Sequence, residues 1–574
     1  MAHREASSRL VSRWGTIVLM QVKLKKAIAE ALQSVGISVA ESETSLEHPA
    51  ELKNGDYSTG VALQYAKHAG SAPRELAEKI ASALGTIEGV AKIEVAGPGF
   101  INFYLAPEAL AASLEKARSE DMWGANQNEK GKKIMVEYTD PNPFKEFHIG
   151  HLMPNVIGES LSRLFAFSGA EVKRANYQGD VGRHVARAIW GLMQSSESAQ
   201  DVKALARAYA TGTSADVDGA PAKDEITAIN KKIYNRSDEK INEMYDAGRT
   251  ASLEHFEGLY KVLGTKFDLY FFESETGPFG KKIVEEHIGD IFKKSDGAVV
   301  YDGEKVGLHT RVFLNSEGLP TYEAKELGLS KMKYDKFPYD TSVIVTGNEI
   351  NEYFKVLIAA MGEVFPDLAK KTKHVSHGML RLPEGKMSSR TGNVITGEAL
   401  MEDLIEVARE RAAESRAGEK DVLAQEVAVA AIKFQILKGA TGKDIIFDRE
   451  QALSVEGDSG PYLQYTHART HGVAEKAREQ GVHSKIDAAA LPDDISRLVH
   501  RFPDAVAYAE SMLEPHLLTN YLLELASRFN SWYAQVHILD GTPAASHKVA
   551  LVEAVARTLK NGLWILGIPA PEKM

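Results

Sequence analysis

The stretch from Ile134 to Gly169 constrains the fold of this chain more than any other. It opens on a short apolar run, Ile134-Met135-Val136, that reads as a strand, and continues past residue 151 with apolar residues at helical spacing from Leu152 to Gly169. Between them lies His148-Ile149-Gly150-His151. A strand that feeds a helix is the unit of a parallel α/β sheet, which gathers ligands at its strand C-termini. The free N–H groups and positive potential of a helix N-terminus suit a phosphate. Gly150 removes a side chain that would block a ligand's close approach. A buried histidine pair that merely caps the helix has the same pattern, so nucleotide chemistry requires a second element.

That element is Lys386-Met387-Ser388-Ser389-Arg390, a basic, hydroxyl-rich loop between Gly385 and Gly392. Such a loop closes a cation over phosphates. Together the two segments resemble the HIGH and KMSKS signatures of class I aminoacyl-tRNA synthetases. The flanks narrow the resemblance to the arginyl-tRNA synthetases: Gly97-Pro-Gly-Phe-Ile-Asn-Phe103, Asn142-x-x-Lys145, Gly457 to Arg469, and Asn561 to Met574. It runs from about Val22 to the last residue.

Bulk properties agree. At 574 residues the chain exceeds one core, so three or four domains are expected. Apolar content of 44% and charged content of 26% fit a soluble globular protein. The absence of cysteine excludes disulfides, thiolate metal sites and cysteine nucleophiles, and suits a cytoplasmic location. A net charge of -11 argues against wholesale nonspecific RNA binding, but not against local patches for one RNA. No run is apolar enough to span a membrane.

The fold class expected is α/β: a Rossmann-like parallel-sheet catalytic domain with an N-terminal α+β domain and a C-terminal α-helical bundle. Residues 1–20 read as a disordered extension. Their arginines and serines fit a transit peptide, and an upstream start ahead of Met20 fits equally. The N-terminal α+β domain covers 21–108, with helices over Leu24–Val35 and Pro73–Leu84 and strands around the Gly-Pro-Gly turn. A polar linker follows over 109–133. The catalytic domain spans 134–396, with strands at 134–138, 172–176, 297–301 and 342–346 and a helical insertion over about 186–289. Residues 397–574 form the bundle.

The resemblance implies specific roles. His148 and His151, with Gly150, face the ATP phosphates. Lys386, Met387, Ser388 and Arg390 form the closing loop. Its usual second lysine is replaced here by Ser389, and Lys145 is the substitute cation. Gly378 and Met379 pack near the ATP ribose and adenine. Glu137, Asn142, Tyr322, Glu326 and Glu349 hold arginine, whose planar cation needs carboxylates and a stacking ring. Tyr322 and Glu326, four apart, share one helix face. The family usually has aspartate at the place of Glu326 and glutamine at that of Glu349. Asp180, in Gly179-Asp-Val-Gly182, stabilises the loop beside the site. Tyr462, Thr466, Tyr533 and Met574 match positions near the anticodon, and Tyr462, Gln464 and Tyr465 interleave with small residues, a pattern suited to stacking on unpaired bases.

The expected partners are tRNA(Arg), L-arginine and ATP. Magnesium accompanies ATP without dedicated protein ligands, no cofactor is tightly bound, and no membrane is involved. A monomer is expected. No editing domain is needed, because a guanidinium differs enough from other side chains for binding to discriminate. A non-catalytic RNA-binding paralogue would have lost the histidines or Lys145. A ligase for another amino acid would lack the Asn142-x-x-Lys145 signature. A small-molecule adenylyl transferase would leave the C-terminal helices without a purpose.

Overall fold

The computed structural model describes residues 20–383, 396–412 and 418–574. The N-terminal extension up to Leu19 and the whole Lys386–Arg390 segment lie outside these residues. The first unit sets α1 (Met20–Ser34), α2 (Val61–Ala69) and α3 (Pro73–Leu84) against an antiparallel sheet. Its strands are β1 (Tyr57–Thr59), β2 (Val90–Ala96) and β3 (Phe100–Leu105), in the order β1-β3-β2. Leu24, Ile28 and Leu32 recur every four residues and bury one face of α1, as Leu76, Ile80 and Leu84 do for α3. Gly99 (φ 143°) lies in the β2–β3 turn, where a Cβ would meet the carbonyl oxygen of Pro73 at 2.9 Å.

The stretch expected as a linker, 109–133, departs from that reading. Residues 109–119 of it lie in α4 (Pro107–Ser119), which buries Leu110, Leu114 and Ala117. Its apolar stripe is narrow, so the polar residues dominate the sequence pattern.

Five parallel strands form the central sheet: β4 (Lys133–Glu137), β5 (Glu171–Gln178), β6 (Leu269–Phe272), β10 (Thr341–Gly347) and β11 (Thr372–His377). Their order is β11-β10-β4-β5-β6. The chain runs outward from β4 to β6, then returns to build β10 and β11 on the other side. The order thus reverses between β4 and β10, where open α/β sheets bind ligands. This is the expected α/β class. Between β4 and β5 runs α5 (Leu152–Phe167).

Two local expectations change. The insertion contains α6 (Arg183–Met193), α7 (Val202–Ala215), α8 (Pro221–Asn235) and α9 (Glu239–Leu263), but the bounds 186–289 also enclose β6, an edge strand of the parallel sheet. Four residues are too short for a period-2 signal between long helices. After α10 (Glu273–Glu286), the run 297–301 joins a separate antiparallel sheet instead of the parallel one. That sheet is β7 (Phe292–Ser295), β8 (Ala298–Tyr301) and β9 (Arg311–Leu314). An apolar run does not name its partner strand.

Next come α11 (Tyr322–Lys336), which precedes β10, and α12 (Asn351–Val364), which follows it. The C-terminal part is helical: α13 (Gly397–Ala412), α14 (Lys420–Leu437), α15 (Gly460–Glu479), α16 (Asp494–Met512), α17 (Pro515–Gln535) and α18 (Ala545–Ile565). α4 packs on α16 and α18. One contiguous set of buried apolar side chains joins Leu24, Leu161 on α5 and Leu563 on α18. No helix of the described residues is long and apolar enough to cross a membrane.

Candidate active site

The loop after β4 is anchored at both ends. Tyr138 is buried and donates to Glu159 Oε2 at 2.6 Å. Arg163 and Arg174 donate to the same carboxylate, and Arg163 also reaches the carbonyls of Trp564 and Gly264. Between Tyr138 and His148 three non-glycine residues have positive φ: Thr139 at 83°, Asp140 at 47° and Phe144 at 67°. Such backbone, above all at a β-branched residue, persists only where surroundings hold it. Here Asn155 donates to Thr139 Oγ1, the backbone N–H of Tyr177 to Asp140 Oδ1, and the backbone N–H of Phe144 to Ser252 Oγ.

His148 and His151 stack at the start of α5, with ring centroids 3.7 Å apart. The backbone N–H of His148 donates to His151 Nδ1 at 3.2 Å. A neutral imidazole whose Nδ1 accepts carries its proton on Nε2, so His151 presents an N–H donor. Burial, then the neighbouring His148 and Lys145 charges, hold His151 well below the usual histidine range. His148 is more exposed and is lowered by its partial burial and by Lys145. Gly150 has a role beyond ligand access, because a Cβ there would meet His148 Nδ1 at 2.8 Å. The glycine seats the first imidazole. Lys145 places its ammonium 5.2 Å from the centre of the Tyr209 ring.

Across the sheet lies a cluster of acids. Glu137 pairs with Lys333 at 2.6 Å, and Glu273 with Lys325 at 2.5 Å, all four buried. Asp140 and Glu326 form no ion pair among the described residues, and Glu326 Oε2 is buried without a hydrogen-bond partner. Burial and the Glu137 charge hold both carboxyls well above the usual range. Tyr353 Oη is likewise buried and unpartnered, and its hydroxyl is raised by burial and by Glu326. Tyr322 opens α11 and is 66% exposed, one turn before Glu326. Asn142 reaches over Gly179, where a Cβ would meet its Oδ1 at 2.2 Å.

Asp180 is a buried hub. It accepts from Tyr245 Oη, Arg249 Nε and both the backbone N–H and Oγ of Ser274. Glu349 is exposed and folds its carboxylate back over Gly347. Among the described residues no hydrogen bond or ion pair joins it to the acid cluster. Gly378 does allow a close approach, but of protein backbone: a Cβ would meet Lys443 C and O at 2.3 Å. There β12 (Leu380–Arg381) pairs with β13 (Ile445–Ile446), and the Met379 N–H donates to Asp444 Oδ1. Met379 itself is 46% exposed. Among the described residues no group of three or more His, Asp or Glu is arranged to hold a metal ion.

At the far end, Arg469 lies between the exposed rings of Tyr465 and Tyr533, 4.8 and 4.9 Å from their centres. Asn530 donates to Tyr462 Oη and to Thr466 Oγ1. Thr466 is fully buried, so it cannot present a surface to a base; it orders Asn530 instead. Gln464 is also buried, and its amide donates to the carbonyl of Pro569. His467 Nδ1 lies 2.9 Å from the carbonyl of Pro571, and Met574 ends the chain half-buried.

Reading the sequence missed Asp140, Glu273, Lys325, Lys333, Tyr353 and Arg469 as parts of these sites. Lys333 had a signal: it falls seven residues, two helical turns, after Glu326. Glu273 had none, since its partner comes from a distant helix.

Comparison with known proteins accords with this arrangement. Residues 22–105 match the family description "Arginyl tRNA synthetase N terminal domain", 113–449 match "tRNA synthetases class I (R), catalytic domain", and 463–574 match "DALR anticodon binding domain". An arginine–tRNA ligase of Clostridium perfringens is 30% identical over 573 residues, covering 96% of this chain and all of the relative. One of Clostridioides difficile is 30% identical over 569 residues, covering 96% and 99%. The solved arginyl-tRNA synthetase of Thermus thermophilus superposes with a TM-score of 0.77 at 26% identity, covering 97% of this chain and 100% of that one. Matched along nearly its whole length in sequence and in fold, the chain belongs to the class I arginyl-tRNA synthetase family.

Proposed function

We propose that the chain is an arginine–tRNA ligase, in which the carboxylate of L-arginine attacks the α-phosphorus of ATP. A new O–P bond forms and pyrophosphate leaves. A ribose hydroxyl at the 3′ end of tRNA(Arg) then attacks the arginyl carbonyl, and AMP leaves. One observation carries the arginine reading: the acid cluster holds two more carboxyls, Asp140 and Glu326, than it has cations to pair. A guanidinium supplies one positive charge and five N–H donors towards this deficit. In this reading Glu137, Asn142 and Tyr322 also contact the arginine, and Glu349 joins them only if it swings from Gly347.

The phosphate end needs donors and cations where charge develops, not a covalent group. His151 Nε2, the His148 ring, the N-terminus of α5 and Lys145 supply them. Lys386, Met387, Ser388 and Arg390 serve the phosphates as well, while Met379 borders the nucleoside. Mg2+ rides on phosphate oxygens and water. Tyr462, Tyr465, Arg469, Tyr533 and Met574 take the anticodon, and the first unit takes another part of the tRNA. The enzyme acts as a cytoplasmic monomer.

Charging of total tRNA with each of the twenty amino acids tests the reading. Arginine alone is expected to be incorporated; equal charging with lysine, or none with arginine, overturns it. The raised carboxyls give a second expectation. A carboxyl held above its usual range gives up its proton at a higher pH in the empty site, and a bound cation lowers that pH. Arginine binding, with tRNA present, therefore releases protons and tightens as pH rises towards those raised values. Calorimetry at one pH in buffers of different ionisation heat measures the release. Glu326→Gln is expected to diminish it and to raise the arginine KM about thirtyfold, ~2 kcal/mol for a lost charged hydrogen bond. Arginine binding without proton release would count against this account.

A further inference from the structure

We propose that Tyr209, on α7 of the helical insertion, is a positioning residue for Lys145, with Phe144 seating the same loop from the other side. The inference rests on reading Lys145 as the phosphate-facing cation. Lys145 makes no ion pair among the described residues; its ammonium sits 5.2 Å over the face of Tyr209. The preceding side chain goes elsewhere. Phe144 is 1% exposed, packs into the insertion's own apolar cluster with Val185 and Leu205, and stacks on Tyr245 at 6.1 Å. Its ring fills the space above Gly248, where a Cβ would approach to 2.4 Å. Its backbone N–H donates to Ser252 Oγ at 3.0 Å. Two consecutive residues of the loop thus engage two insertion helices, α7 and α9, and the left-handed backbone of Phe144 separates them.

The choice of an aromatic partner has a chemical reason. A carboxylate would hold the lysine equally well, but would cancel the charge that the phosphates require. The face of a phenol ring attracts an ammonium through its quadrupole and leaves the net charge intact. The ammonium lies near enough to the histidine pair for its charge to help lower His148 and His151, and it lowers His184 as well. The insertion therefore sets the direction of Lys145 without neutralising it.

Arginine-dependent pyrophosphate exchange, with tRNA(Arg) present, tests this. Tyr209→Leu is expected to lower kcat about fivefold and to leave the arginine KM within about twofold. Tyr209→Phe keeps the ring face and is expected to retain wild-type kcat. In a Lys145→Ala background, measured at raised enzyme concentration, Tyr209→Leu is expected to add nothing. A Tyr209→Leu kcat within twofold of wild type overturns the proposal. So does a Phe variant as impaired as the Leu variant, or a Leu effect that persists in full without Lys145, which marks a structural role. If Lys145→Ala alone is fully active, the reading of Lys145 fails first; if only Tyr209→Leu is silent, that reading stands and this inference falls.

Discussion

Replacing His148 and His151 together by alanine lowers the rate of arginine-dependent pyrophosphate exchange by about a thousandfold, while the affinity for tRNA changes little. The pair stacks at the first turn of α5, and His151 turns an Nε2–H outward because its Nδ1 accepts a backbone bond. Loss of one donor aimed at developing negative charge costs on the order of a hundred- to a thousandfold, and here two are removed. The single variants separate their shares. His151→Ala also strips the acceptor from the His148 N–H, so it is expected to be the more harmful. Exchange within tenfold of wild type, in a double variant that still binds tRNA, would return the pair to helix capping alone.

Lys145→Ala is expected to lower the activation rate about a hundredfold, ~3 kcal/mol of barrier, with the ATP KM within a few fold. The lysine lies three residues before His148, and its charge already depresses both histidines. Ser389 leaves the usual second-lysine place of the closing loop neutral. Ser389→Lys in the Lys145→Ala chain is therefore expected to recover part of the loss. A change smaller than about threefold on removing Lys145 would show that another cation serves the phosphates. An inactive Lys145→Ala chain that Ser389→Lys fails to rescue would weaken the equivalence of the two positions, not the need for Lys145.

What the sequence reveals and what it hides follow from range. The turn at His148–His151 is legible because strand, glycine and helix are contiguous, and the structure places the pair at the head of α5. Tyr322 and Glu326 are legible because helical spacing is local. The acid cluster is not, because Glu137 meets Lys333, and Glu273 meets Lys325, across distances that no local period encodes. α4 hides behind its own polar surface, and β6 is too short to show a period. Gly378 reads as room for a ligand, yet it makes room for Lys443, which arrives from the other side of the closing loop. Thr466 lies among exposed aromatic residues in sequence and is nonetheless buried, since neighbours on a helix need not share a face.

The carboxylate of Glu159 has a consequence for how such a chain can diverge. It holds Tyr138 at the end of β4, Arg174 on β5 and Arg163, whose guanidinium also reaches the carbonyl of Trp564 in the last helix. Removing Glu159 strands two arginines and a buried hydroxyl, whereas Glu159 keeps one arginine when the other is lost. Residue 159 can thus change only together with 138, 163 and 174, and Trp564 is tied to the same group, since its carbonyl accepts from Arg163 and its ring centre lies 5.3 Å from that guanidinium.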